Sequence, residues 1–162
     1  MKNLLLAAIL IIVTTAAAFS QKKLIAFSSD ATKNDKQQIF IMDEDGDNVK
    51  QVAFLDLDCY SPHFIPKTNK ILFSATNRIS DFLYMVDMDD TSTFRFPTFI
   101  DGGLDPQFTV DGSMLMYRSE KDLSNALYIM DMSTGESFEI SDGSLATHAE
   151  FSHSGQYVVY SS

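Results

Sequence analysis

The chain has 162 residues, of which 45% are hydrophobic and 21% charged, a composition that fits one folded domain and excludes a disordered chain. Its 22 acidic residues outnumber the 12 Lys and Arg, and the formal net charge of −10 argues against nucleic acid as a partner, because such binding needs clustered basic side chains. A single cysteine, Cys59, excludes an intramolecular disulfide and a zinc site built from several cysteines.

The N-terminus has the pattern of a cleavable export signal. Lys2 supplies a positive charge, residues 4–13 form an apolar run, and small residues follow at 16–20. The run is too short to cross a bilayer as a helix. An N-terminal anchor or a buried core helix is the weaker alternative, because the polar Thr14 and Thr15 and the small residues follow at the distance expected of a cleavage site. We predict a signal peptide at residues 1–20, cut after Ser20 or alternatively after Ala18, and a mature protein that is periplasmic or secreted.

Short segments rich in Ile, Val, Phe and Tyr follow, and each is typical of a β-strand. In chain order the predicted strands are 25–29, 39–43 and 49–54; then 62–64, 71–75, 83–87 and 93–99; then 106–108, 115–119, 127–131 and 137–141; and finally 149–151 and 158–162. Apolar residues stand on both alternating positions, as at 127–130, so both faces of these strands should be covered by other sheets. Hairpin turns are predicted at Asp45-Gly46, Asp111-Gly112, Thr134-Gly135 and Ser154-Gly155.

These strands repeat with a period of about 44 residues. Three markers keep the period: an aromatic residue at 27, 73, 117 and 160, an aspartate at 43, 87 and 131, and a phenylalanine at 64, 108 and 151. Phe27, Phe73 and Tyr117 are therefore expected at equivalent buried strand positions, as are Phe40, Tyr84 and Tyr128. Four short antiparallel strands per period are typical of a β-propeller blade.

The segments also resemble the blade motif of TolB-type, or PD40, propellers, which are WD40-like. The resemblance rests on residues 27–30, on residues 38–43 followed by Asp45-Gly46, and on residues 106–112. It departs from the family pattern in the innermost strands, where Phe stands in place of Trp. The resemblance covers roughly residues 23–162 and implies an all-β chain of four-stranded antiparallel blades.

The predicted blades do not complete a ring. They lie at about 23–60, 61–103, 104–146 and, incomplete, 147–162. With the innermost strand called A, the strands read BCD, ABCD, ABCD and AB, which is fewer than a closed propeller requires. We expect an incomplete ring of about three blades that belongs to a longer propeller, or alternatively an oligomer that shares blades between chains. Open blade edges also predict self-association.

The acidic turn at residues 43–47 does not match a calcium loop. It holds four carboxylates, but Gly46 is the fourth residue and Phe54 the twelfth, where an EF-hand has Gly sixth and Glu twelfth. The aspartates that end three strands are expected instead to accept hydrogen bonds from nearby backbone N–H groups. We predict neither a metal site nor a cofactor.

Catalytic motifs are also missing from the sequence. It contains no Gly-x-Ser-x-Gly, and the Ser152–Gly155 segment lies at a predicted hairpin. The three histidines, at 63, 148 and 153, could meet near a channel mouth, but they lie in successive blades without the spacing of metal ligands and are interpreted as partly exposed side chains. Cys59 is interpreted as a small connecting residue. We therefore predict that the protein is not an enzyme.

Loops on one face of the predicted blades give the candidate binding site. In a propeller the loops that join strand D to the next strand A gather around the channel, and loops on a rigid scaffold carry function. Here they lie at 56–61, 101–105 and 143–148 and are rich in aspartate. We predict an acidic face that binds a protein or peptide, with Asp58, Tyr60, Asp105 and His148 at its inner positions.

The resemblance implies a function as well as a fold. It implies a non-enzymatic, TolB-like binding scaffold of the cell envelope, with a protein or peptide as partner. The alternative is the N-terminal propeller of an exported serine peptidase of the prolyl oligopeptidase type, whose hydrolase domain would follow Ser162.

Overall fold

A computed structural model describes residues 23–32, 35–98, 102–119, 126–141 and 146–161. The predicted signal peptide and parts of the loops at 101–105 and 143–148 lie outside these residues. Within the described ranges, no helix has the length and apolar character needed to cross a membrane.

The described residues form thirteen strands in four antiparallel sheets. The first sheet contains β1 (Leu24–Ser29), β2 (Gln38–Asp43) and β3 (Lys50–Gln51). The second contains β4 (Asp58–Phe64), β5 (Lys70–Thr76), β6 (Asp81–Asp87) and β7 (Thr93–Arg95). The third contains β8 (Leu104–Phe108), β9 (Met114–Ser119), β10 (Ala126–Asp131) and β11 (Ser137–Glu139), and the fourth contains β12 (Thr147–Phe151) and β13 (Val158–Ser161).

Strands that are consecutive in the chain are neighbours within every sheet. The predicted series of three, four, four and two strands is therefore confirmed, and the sheets do not close into a ring. The outermost strands of the first three sheets, β3, β7 and β11, have only two or three residues and are shorter than predicted. In the first sheet, Val52 and Ala53 both donate to the carbonyl oxygen of Ile39, and this two-to-one pairing ends the regular ladder.

Neighbouring sheets pack face to face, so alternate residues of one strand enter different cores. Ile71 and Phe73 of β5 pack with Ile39 of the first sheet, whereas Leu72 of β5 packs with Leu115 of the third. All five side chains are fully buried. A third core lies between the third and fourth sheets. The prediction that sheets cover both faces of these strands is confirmed for β5.

An aromatic pair recurs at the centre of the first three sheets. The stacked pairs are Phe27 with Phe40 at 5.7 Å between ring centroids, Phe73 with Tyr84 at 6.2 Å, and Tyr117 with Tyr128 at 5.7 Å. Members of each pair are directly opposite in the strand register, which confirms that the positions are equivalent. The expected burial was wrong in part: Phe40, Phe73 and Tyr117 are buried, but Phe27, Tyr84 and Tyr128 are only partly buried. For Phe27 the reason is that β1 is an edge strand of an outermost sheet.

The predicted hairpin turns are present. The glycines at 46, 112, 135 and 155 have φ angles of 88°, 78°, 76° and 71°, a region that L side chains rarely adopt. The carboxylate of Asp131 accepts the backbone N–H of Ser133 at 2.8 Å, and that of Asp87 accepts the N–H of Asp89 at 3.0 Å. The predicted role of these two aspartates is therefore confirmed.

Candidate functional site

Each innermost strand has a β-bulge at the same position. Ser61 in β4, Asp105 in β8 and His148 in β12 have φ angles of 49°, 50° and 50°. Next to each of them the register with the following strand shifts. Positive φ is uncommon outside glycine, and a bulge changes the direction in which side chains point. The repeat therefore places three different side chains at one equivalent position.

A cleft of about 510 Å³ opens where β4, β8 and β12 meet. Its floor includes Met116 of β9 and Leu127 of β10, which are buried in the core between the third and fourth sheets. Polar side chains surround this floor. They belong to Ser61, His63, Asp105, Gln107, Arg118, Thr147, His148 and Glu150.

Asp105 has three hydrogen-bond partners at the cleft. Its two carboxylate oxygens accept separate hydrogen bonds, one from the hydroxyl of Ser61 at 2.8 Å and one from the guanidinium of Arg118 at 2.9 Å. Its backbone N–H donates to the hydroxyl of Ser74 at 3.1 Å. Ser61 and Ser74 belong to the second sheet and Arg118 to the third, so Asp105 joins the two sheets at the edge of the cleft.

Two histidines and an exposed glutamate complete the polar lining. Burial lowers the pKa of the half-buried His63, and the carboxylates of Asp105 and Glu150 oppose this shift without cancelling it. The His63 imidazole is therefore neutral at pH 7. His148 is exposed, and its Nδ1 lies 3.2 Å from the hydroxyl oxygen of Thr147.

The structure brings two of the four predicted binding residues together. Asp105 and His148 line the cleft, whereas Asp58 and Tyr60 are absent from its described lining. The Asp58 carboxylate accepts the backbone N–H of Gln37 at 3.1 Å. The Tyr60 hydroxyl donates to the Asp81 carboxylate at 2.8 Å. The Asp58 bond thus links β4 to the residue before β2, and the Tyr60 bond links β4 to the first residue of β6.

Sequence reasoning did not assign Arg118 or Glu150 to the site, and it gave His63 no role in binding. A signal was present, because His63 and Glu150 each stand one residue before the repeating phenylalanine of an innermost strand. Gln107 occupies the same place in β8 and also lines the cleft. The interpretation of His63 as an ordinary partly exposed side chain therefore left out its position in the cleft.

The cleft contains residue types found in hydrolases but arranges them differently. A serine nucleophile needs a histidine within hydrogen-bond reach to take its proton. Here the Ser61 hydroxyl donates to the Asp105 carboxylate instead. Among the described residues, no group of three or more His, Cys, Asp or Glu side chains is placed to hold a metal ion. The geometry is suited to hydrogen bonding and charge recognition.

Antiparallel sheets of up to four strands, packed face to face with the innermost strands around a cleft, define the class of the β-propeller. The chain belongs to the TolB β-propeller domain (PD40) family, whose model matches residues 9–162. No curated protein matches the sequence.

Solved structures support the fold. TolB from Acinetobacter baumannii is 21% identical with a TM-score of 0.68, and the match covers 86% of this chain and 37% of that one. A protein from Agrobacterium tumefaciens assigned as TolB is 18% identical with a TM-score of 0.72, covering 85% and 49%. An oligogalacturonate lyase in complex with manganese is 17% identical with a TM-score of 0.54, covering 75% and 37%. The chain thus spans less than half the length of each of these proteins.

Proposed function

We propose that the protein is an exported β-propeller of the cell envelope that binds a protein or peptide without catalysing a reaction. The observation that carries this proposal is the cleft at the bulges of β4, β8 and β12. An apolar floor with a few converging polar groups is the usual composition of a recognition site, and 510 Å³ lies within the usual size of such sites.

The non-enzymatic part of the proposal is supported by the hydrogen bonds of the cleft. Ser61 and Arg118 are both bound to the same carboxylate, that of Asp105. These two hydrogen bonds restrict the side chains of Ser61, Asp105 and Arg118 before a ligand binds, which reduces the entropy that is lost on binding. They leave Ser61 without the imidazole partner that acyl transfer needs.

Peptide selection tests the binding function. A displayed library of random peptides is selected against the full chain, and the recovered peptides are measured by calorimetry against wild type, His148→Ala and His153→Ala. His148 lines the cleft, whereas His153 is an exposed histidine in the β12–β13 hairpin. We expect H148A to weaken binding and H153A to leave it unchanged. Recovery of no peptide, or equal binding by all three proteins, would contradict the proposal.

Export is tested separately by intact-mass measurement of the protein from a cell-envelope fraction. The proposal expects a mass lacking residues 1–20, because this segment has the charge, apolar run and small residues of a cleavable signal. A mass that still includes Met1 to Ser20 would contradict processing at the predicted position.

A further inference from the structure

We infer that the cleft takes a cationic side chain, lysine or arginine, from the bound peptide. The inference rests on the proposed function and names the chemistry of its partner. The aliphatic part of the side chain would lie on the apolar floor, and its charged end would face Glu150.

The charges of the cleft favour a cation. Asp105 and Arg118 form an ion pair at 2.9 Å and compensate each other. Glu150 is exposed, lines the cleft and has no ion-pair partner within the described ranges. No described Lys or Arg side chain compensates the Glu150 carboxylate, which is therefore available to a cation from a partner. The whole chain has the same sign, with a formal charge of −10, and attracts cationic partners at long range.

An anionic side chain fits the same cleft less well. Its only guanidinium, among the described lining residues, is that of Arg118, whose side chain is just 19% exposed and already bound to Asp105. An incoming carboxylate would have to displace Asp105 and would then lie near two carboxylates. Neighbouring carboxylates repel each other, and the displaced Asp105 carboxylate would lose its own hydrogen bonds.

The floor distinguishes a long cationic side chain from a small cation. The nearly buried Met116 and Leu127 line the cleft together with the partly exposed Ala149, and these apolar side chains offer nothing to a hydrated ion. Lysine and arginine combine a chain of methylene groups with a charged end, and they bury the first while the second stays near water or a carboxylate. The cleft likewise combines buried apolar side chains with an exposed glutamate, so it matches that combination.

Blocked pentapeptides that differ only at the central residue test the inference. The probes have lysine, norleucine, glutamine or glutamate between pairs of alanines, and the proteins are wild type, Glu150→Gln and Glu136→Gln. Glu136 is an exposed glutamate in the turn between β10 and β11 and serves as the matched control. Binding is measured by calorimetry or by NMR shifts in the full chain.

We expect wild type and E136Q to bind the lysine peptide about tenfold more tightly than the glutamine peptide, because only lysine forms a charge-assisted hydrogen bond to Glu150. In E150Q the preference should fall to within about twofold, and in wild type it should shrink in about 0.5 M salt, which screens charges beyond a few ångströms. Norleucine should bind better than glutamine but less well than lysine, since it keeps only the contact with the floor.

The outcomes separate the inference from the proposed function. Equal binding of lysine and norleucine by wild type, or a lysine preference that survives in E150Q, overturns the cationic site while leaving a peptide-binding cleft. Tighter binding of the glutamate peptide overturns it as well. If the library selection yields no peptide and the pentapeptides do not bind, the proposed function fails together with the inference.

Discussion

Replacing Phe73 by alanine tests whether the stacked sheets hold the chain together. Phe73 is fully buried between the first and second sheets, and its ring stacks on Tyr84 with 6.2 Å between centroids. Removing a buried phenylalanine loses about 1.5–3 kcal/mol of transfer free energy. The enclosed cavity that remains raises the total loss in unfolding free energy to about 3–5 kcal/mol.

Phe27 provides the matched control because it occupies the equivalent position of the first sheet. It is half-buried and stacks on Phe40 at 5.7 Å. Phe27→Ala therefore loses about half of the transfer free energy of a buried phenylalanine, near 1 kcal/mol, because water fills the space that the ring leaves. The two substitutions change the same chemical groups in the same strand register, so the difference between them reports burial.

Urea unfolding of both variants, followed by far-ultraviolet circular dichroism at several protein concentrations, measures these losses. We expect the unfolding free energy to fall at least twice as far in F73A as in F27A, with little change in the slope with denaturant. A loss below about 0.5 kcal/mol in F73A is the value for a surface site and would refute the packing described above. Equal losses in the two variants would refute the explanation by burial.

Three further predictions concern single groups and exposed edges. Burial raises the pKa of the Cys59 thiol to about 12, so a thiol reagent at pH 8 should modify it only after unfolding; modification in the native state would contradict the buried position. Hydrogen bonds from the backbone N–H of Ser113 and from the hydroxyls of Thr109 and Ser113 lower the pKa of Asp111 from 3.8 to about 2. The ionised carboxylate therefore stabilises the folded state above pH 4, and this contribution is lost as the pH falls to 2. The higher thermal midpoint of wild type relative to Asp111→Asn should disappear over that range. Val159 of β13 and Tyr157 in the hairpin before it are 69% and 73% exposed, and Ile25 of the first sheet is 41% exposed. We therefore expect self-association in sedimentation velocity and binding of an apolar dye, and a monodisperse, dye-silent monomer would contradict this.

The period of the sequence predicts most of the fold because each strand repeats the same physical requirements. Apolar residues on both alternating positions require covered faces, and Asp-Gly or a similar pair permits the positive φ of a hairpin. The resulting strand order and turns are those of the structure. Burial at the ends of the array does not follow from the period, as Phe27 demonstrates, because it depends on which neighbouring sheets are present rather than on the strand itself.

The bulges explain why the cleft was harder to predict than the fold. An extra residue at Ser61, Asp105 and His148 shifts the register of each innermost strand. Simple alternation then assigns side chains on one side of the bulge to the wrong face, since a shift of one residue exchanges the two faces. Nothing in the length of these strands reveals the extra residue.

The equivalent bulge positions also show how one repeated backbone supports a site that does not repeat. A serine, an aspartate and a histidine share nearly the same φ angle, yet the serine donates to the aspartate, the aspartate binds Arg118, and the histidine contacts Thr147. The repeat therefore sets the backbone conformation at these positions, and the residue type at each position determines which contacts form. A substitution at Glu150 or His148 should consequently alter recognition at small cost to the fold, because both side chains are exposed, whereas a change at a repeated core position such as Phe73 should do the reverse.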